Sequence, residues 1–135
     1  MATIKNEYLG ELRTRATHLT SGNALITDAP IDNQGKGEAF SPSDLLATAL
    51  GSCMLTIMGI AAREHSIDLE KAQLETTKFM ASDPRRVSRL DVSFTFPKGQ
   101  KYTDKEKGIL EKAAKTCPVY FSLDPAIEKN IQFNW

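Results

Sequence analysis

The sequence predicts an α+β fold with mostly antiparallel sheet and grouped helices. Three observations carry this expectation. Residues 87–96 alternate Leu90, Val92, Phe94 and Phe96 with Arg89, Asp91, Ser93 and Thr95, the period of a half-buried strand. Residues 45–62 carry no charge, and Ser41-Pro42-Ser43-Asp44 ahead of them is a helix start. Strand and helix signals come in groups rather than in strict βα alternation. The 135 residues suit one domain, residues 1–135, large enough to bury a core.

The elements follow in order. Residues 1–8 are polar and lack the apolar stretch of a secretory signal. Ser21-Gly22-Asn23 is a turn signal, so residues 8–18 and the segment from Ala24 read as a β-hairpin. Residues 28–39 hold Pro30, Gly35 and Gly37 and read as a loop. The long helix then starts, with Ser41 as cap, Pro42 at the first position and Asp44 on the positive end of the dipole. It runs to about Glu64. Because it is apolar all round, it reads as a fully buried central helix. A small chain covers such a helix poorly, so a homodimer is expected, with this helix at its centre. No membrane span is expected, since the run is rich in Ala, Gly, Ser and Thr and has no aromatic or basic anchor at its start.

Residues 71–80 and 87–96 read as paired strands around a turn at 81–85. Thr103 and Glu106 form a capping box before an amphipathic helix with Ile109, Leu110, Ala113 and Ala114 on one face. A short helix from Pro118 to Leu123 follows. Residues 127–135 alternate again, with Ile131, Phe133 and Trp135 on one side.

Charge excludes some functions. Lys+Arg and Asp+Glu balance at 17 each, and the basic residues are scattered, so no nucleic-acid partner is expected. The histidines, His18 and His65, stand apart, and no C-x-x-C occurs, so no metal is expected. No phosphate loop or serine elbow is present. Two cysteines without an export signal suit a reducing cytoplasm, where a disulfide is more often catalytic than structural.

Those cysteines, Cys53 and Cys117, have different settings. Cys53 sits in mid-helix, where a small core residue is the ordinary reading. To be a thiolate near neutral pH it needs a cation or donated hydrogen bonds. Arg13 and Arg15 on the hairpin are the candidates, although the ordinary reading of both is a solvated strand face. Cys117 immediately precedes Pro118 at a helix start, where free N–H groups favour a thiolate; the alternative is a plain small cap.

Together, Phe40-Ser41-Pro42-Ser43-Asp44 leading to Gly51-Ser52-Cys53, and the distant Thr116-Cys117-Pro118-Val119, resemble the OsmC/Ohr family of thiol-dependent hydroperoxide reductases. The order of elements is similar to that family over essentially the whole chain. The resemblance implies an OsmC-like fold, with antiparallel sheets wrapped around two long buried central helices in an intertwined homodimer. It implies a peroxidase in which Cys53 is peroxidatic, Cys117 resolving and Arg13 activating, with Arg15 as its alternative. It implies a hydroperoxide substrate, a dithiol or dithiol-bearing protein as reductant, and no cofactor. Leu50, Met54, Ile57 and Phe121 are expected to line an alkyl pocket. In well-studied branches a glutamate follows the helix-start proline and pairs with the arginine. Here Ser43 takes that place and the carboxylate comes one residue later, about 100° around the helix, at Asp44. This offset resembles a YhfA-like subgroup. A redox-sensing or ligand-binding dimer of the same fold is the alternative function.

Overall fold

The computed structural model describes residues 1–135. It resolves into two compact units, residues 1–46 and 47–135, and the long helix begins in the first and continues in the second.

The first unit is a three-stranded antiparallel meander, β1 (Ile4–Gly10), β2 (Arg13–His18) and β3 (Ala24–Asp28). The expected hairpin between β2 and β3 is present, closed by His18 and Asn23 around Gly22 at φ 77°. The upstream segment is not one strand, however. Gly10, Glu11 and Leu12 all have positive φ, and the chain reverses there to give β1 and β2. Glutamate and leucine carry no turn signature, which is why the reversal was hidden. A loop with one 3-10 turn at Ile31–Asn33 then leads back, and Phe40 bridges to Thr27. Gly35 is obligatory in this loop: a Cβ there would lie 1.7 Å from the Ala29 carbonyl oxygen.

Helix α1 (Pro42–Glu64) starts as expected. Asp44 N–H donates to Ser41 Oγ (3.0 Å) and Ser41 N–H donates to Asp44 Oδ2 (2.9 Å), a reciprocal cap. Full burial is not found within the chain. One stripe, including Leu50, Met54 and Met58, is buried, while Leu46 and Ile60 are exposed.

The second unit packs that stripe in one core with the sheet of β4 (Gln73–Ala81), β5 (Arg86–Thr95) and β6 (Glu128–Asn134). Leu90, Val92, Phe94 and Phe96 are all buried, matching the alternation of β5. Gly51 lets the helix approach β4 closely, since a Cβ there would sit 2.7 Å from Leu74 Cδ1. The expected α+β class with mostly antiparallel sheet is present, with one pairing of the other sense. β4 and β5 are antiparallel, but β5 and β6 pair in parallel. The chain between them runs through α2 (Asp104–Ala114) and α3 (Pro118–Ser122), the long crossover that a parallel pair requires. Phe133 and Trp135 thereby stack on Phe94 and Phe96.

The Thr103–Glu106 capping box on α2 is complete. Thr103→Ala should lower unfolding free energy by about 1 kcal/mol, read as a shifted urea midpoint at unchanged slope.

Candidate active site

The two cysteines come together in the second unit. Cys53 lies on α1 one residue before buried Met54, so helix phase puts it at the margin of the stripe, half-buried. Cys117 is fully buried and is the N-cap of α3. Its Sγ accepts a hydrogen bond from Tyr120 N–H at 3.3 Å. Both thiols are free of any disulfide, Cys53 packs against the core cluster that contains Cys117, and it acts on the Cys117 thiol. Burial raises the Cys117 pKa most, and the Cys53 hydrogen bond and charge add to this. The N–H groups of Tyr120 and Val119 pull the other way. The result is a resting thiol held beside a second sulfur.

The expected alkyl pocket is revised by burial. Leu50 and Met54 are fully buried and belong to the core rather than to an accessible wall. Ile57 is half-buried and Phe121 is exposed. No three His, Cys, Asp or Glu side chains converge as a metal site would require.

Arg13 belongs to the first unit. The β2–β3 register places it opposite Asp28. Its Nε donates to Asp28 Oδ1 at 2.7 Å and its Nη2 to Asp28 Oδ2 at 2.9 Å, a fork on a carboxylate that is only 1% exposed. Nη2 also donates to Glu38 Oε2 at 2.9 Å, and Glu38 N–H donates to Asp28 Oδ2 at 3.1 Å. Arg15 is exposed, opposite Glu7 and Ile26. Asp44 bonds to Ser41 in the helix cap, and Ser43 Oγ lies 3.2 Å from Ser41 Oγ. The arginine therefore has carboxylate partners, but they are Asp28 and Glu38. Sequence reading passed over both. Asp28 had a signal: a ladder closed by His18 and Asn23 counts back to Arg13 opposite Asp28. Glu38 lies in a loop and had none.

Residues 35–132 match the family described as OsmC-like protein. The chain belongs to the OsmC family. A crystal structure from Psychrobacter arcticus 273-4, provisionally described as an osmotic stress induced and detoxification response protein, is 54% identical to this OsmC-family chain. It covers 99% of this chain and 96% of its own at a TM-score of 0.94. The Legionella pneumophila organic hydroperoxide resistance protein OsmC is 16% identical, over 100% of this chain and 98% of that one, at a TM-score of 0.73. A Vibrio cholerae protein provisionally named for organic hydroperoxide resistance, with captopril bound in one of its active sites, is 15% identical. It covers 99% of this chain and 92% of its own at a TM-score of 0.75. These last two likenesses show the OsmC fold alone. No curated protein matches the chain.

The Arg13 fork holds the Asp28 carboxyl below the usual carboxylate range, with the Glu38 N–H and the Lys36 charge acting in the same sense. A carboxyl whose folded pKa is the lower one stabilises the fold fully above its unfolded value, near pH ~4, and loses that contribution as pH falls through the folded value. Asp28→Asn should therefore lower the urea midpoint at neutral pH, with the gap to wild type closing below about pH 4. A gap that stays constant across that range would show that the charge contributes nothing.

Proposed function

We propose that the protein is a thiol-dependent peroxidase that reduces organic hydroperoxides, or hydrogen peroxide, through Cys53. The observation that carries this is the thiol pair: a half-buried Cys53 packed against the core that holds Cys117, itself buried and capping a helix N-terminus. Membership of the OsmC family, with structural neighbours named for organic hydroperoxide resistance, supports it.

The chemistry balances as follows. The Cys53 thiolate attacks the distal peroxide oxygen, and the O–O bond breaks. The alkoxide leaves and takes up a proton to become the alcohol, and Cys53 becomes a sulfenic acid. The Cys117 thiolate then attacks the Cys53 sulfur and expels hydroxide, which leaves as water, and a disulfide closes. A dithiol, or a protein bearing one, reopens it by two exchanges and is itself oxidised. Arg13 is the cation this reading assigns to the Cys53 thiolate and to the departing oxygen.

The charge on Cys53 bears on the second step. While Cys53 is a thiolate, its charge raises the Cys117 pKa. A sulfenic acid is neutral, so oxidation removes that contribution and leaves the helix N–H groups to favour the second thiolate. Burial, the largest cause, keeps the Cys117 pKa raised in both states, so oxidation of Cys53 only eases the second ionisation.

The partner in this reading is a second copy of the chain. The exposed Leu46 and Ile60 on a helix without charge from 45 to 62 leave an apolar face to be covered. Light scattering should give twice the chain mass.

Purified protein with a dithiol should consume cumene hydroperoxide, and Cys53→Ser should reduce turnover to background. Undiminished turnover in Cys53→Ser would rule out the assignment. In Cys117→Ser, one equivalent of peroxide should leave a trappable sulfenic acid on Cys53, seen by mass spectrometry, where wild type gives a Cys53–Cys117 disulfide. Disulfide formation without turnover in wild type would make the protein a sensor instead.

A further inference from the structure

Strand β6 turns one lysine toward the core. Its inward residues are Lys129, Ile131 and Phe133, paired with the buried Leu90, Val92 and Phe94 of β5, while Glu128, Asn130 and Gln132 are exposed. A lysine in an apolar column lays its stem along that column and needs partners for its head. The Lys129 Nζ donates to the Ile127 carbonyl at 3.0 Å and to the Asp124 carbonyl at 3.4 Å. It also stands over the Tyr120 ring, 5.3 Å from the centroid. Tyr120 is the residue whose backbone N–H donates to Cys117 Sγ at 3.3 Å. One residue thus carries a ring beneath an ammonium and an N–H on a sulfur. Helix α3 has five residues, too few to hold its shape without tertiary anchors. Its start rests on the Cys117 cap, and the chain leaving it rests on Lys129.

We propose that Lys129 is a positioning residue for the second thiol: through Tyr120 and the turn at 124–127 it holds the Cys117 helix in the orientation that closes the disulfide. This rests on the reading of Cys117 as the resolving cysteine. In the closing step the Cys117 sulfur attacks the Cys53 sulfenic sulfur, the S–O bond breaks, and the oxygen leaves as water. Such an attack is fast only when the two sulfurs are held in line. Cys117 is the N-cap of α3, so the aim of its sulfur follows the tilt of that helix. A freed Tyr120 ring would let α3 tilt, and the N–H that favours the thiolate would move with it. An ammonium suits this task. It attracts the ring face and donates to two carbonyls at once, which no apolar side chain of the same length can do. The first step makes no use of α3, since the peroxide meets Cys53 on α1. Lys129 therefore acts on resolution and not on the attack on peroxide.

The test times the two steps separately after one equivalent of cumene hydroperoxide. Rapid quench and mass spectrometry follow the Cys53 sulfenic acid and the Cys53–Cys117 disulfide. Lys129→Met should slow closure roughly five- to tenfold, the size of a lost cation–π contact with its hydrogen bonds, and leave the first step within about twofold. Lys129→Arg keeps the cation and its donors and should restore closure. Tyr120→Leu keeps the lysine charge and removes the ring. It should slow closure too, and adding Lys129→Met to it should have less effect than in wild type. Unchanged closure in Lys129→Met, an equal loss in both steps, or full additivity of the two variants overturns the proposal. Should Lys129→Met fail to fold, closure at the wild-type rate in Tyr120→Leu overturns it. If peroxide oxidises neither cysteine of wild type, the peroxidase reading fails on its own. Saturating diamide then replaces peroxide: its N=N bond takes up the two thiol hydrogens, and the disulfide closes without O–O cleavage. Slower closure in Lys129→Met is again expected. Closure at the wild-type rate, or no disulfide in wild type, overturns the positioning role.

Discussion

The second unit is organised by one seam. Leu50, Met54 and Met58 of α1 are buried in one core with Leu90, Val92 and Phe94 of β5, all at most 1% exposed. Each such side chain contributes roughly 1.5–3 kcal/mol by leaving water. The seam fixes the rotation of the helix about its axis, and that rotation decides where Cys53 points. A residue next to Met54 falls at the edge of the buried stripe, half-exposed and packed against the core. The exposure of this sulfur is a by-product of packing phase, and the helix contributes no terminus at that position.

The two sulfurs are held by different means. Cys117 has backbone N–H donors and burial, which oppose each other. Cys53 has helix phase and the neighbouring thiol. The arginine fork lies elsewhere in the chain, on a sheet whose register sets a guanidinium against a buried carboxylate.

What was legible in the sequence was local. The alternation of β5, the Ser41–Asp44 and Thr103–Glu106 caps and the Cys117-Pro118 helix start all act within a few residues, and all are present. What was hidden depended on pairing. The reversal at Glu11 and Leu12 uses residues with no turn preference, so β1 merged with β2. The direction of β6 depends on its crossover rather than on its own alternation. Apolar periodicity could not tell a residue facing this chain's core from one facing elsewhere, so Leu50 and Met54 were read as pocket wall. The arginine's partners were sought by motif position at the helix start, whereas they are set by a ladder and a loop.

The register of the meander also constrains how this family member can vary by descent. Arg13 meets Asp28 only because equal numbers of residues separate each from the closing pair, His18 and Asn23. A residue gained on one strand and not on the other would slide the ladder and turn alternate side chains to the opposite face. Both charged residues would survive in such a sequence, and their fork would be gone. Inheritance of the fork is therefore a matter of spacing as much as of identity. A relative that keeps arginine and aspartate at altered separation has lost the device, while a relative with a longer turn and matched arms has kept it.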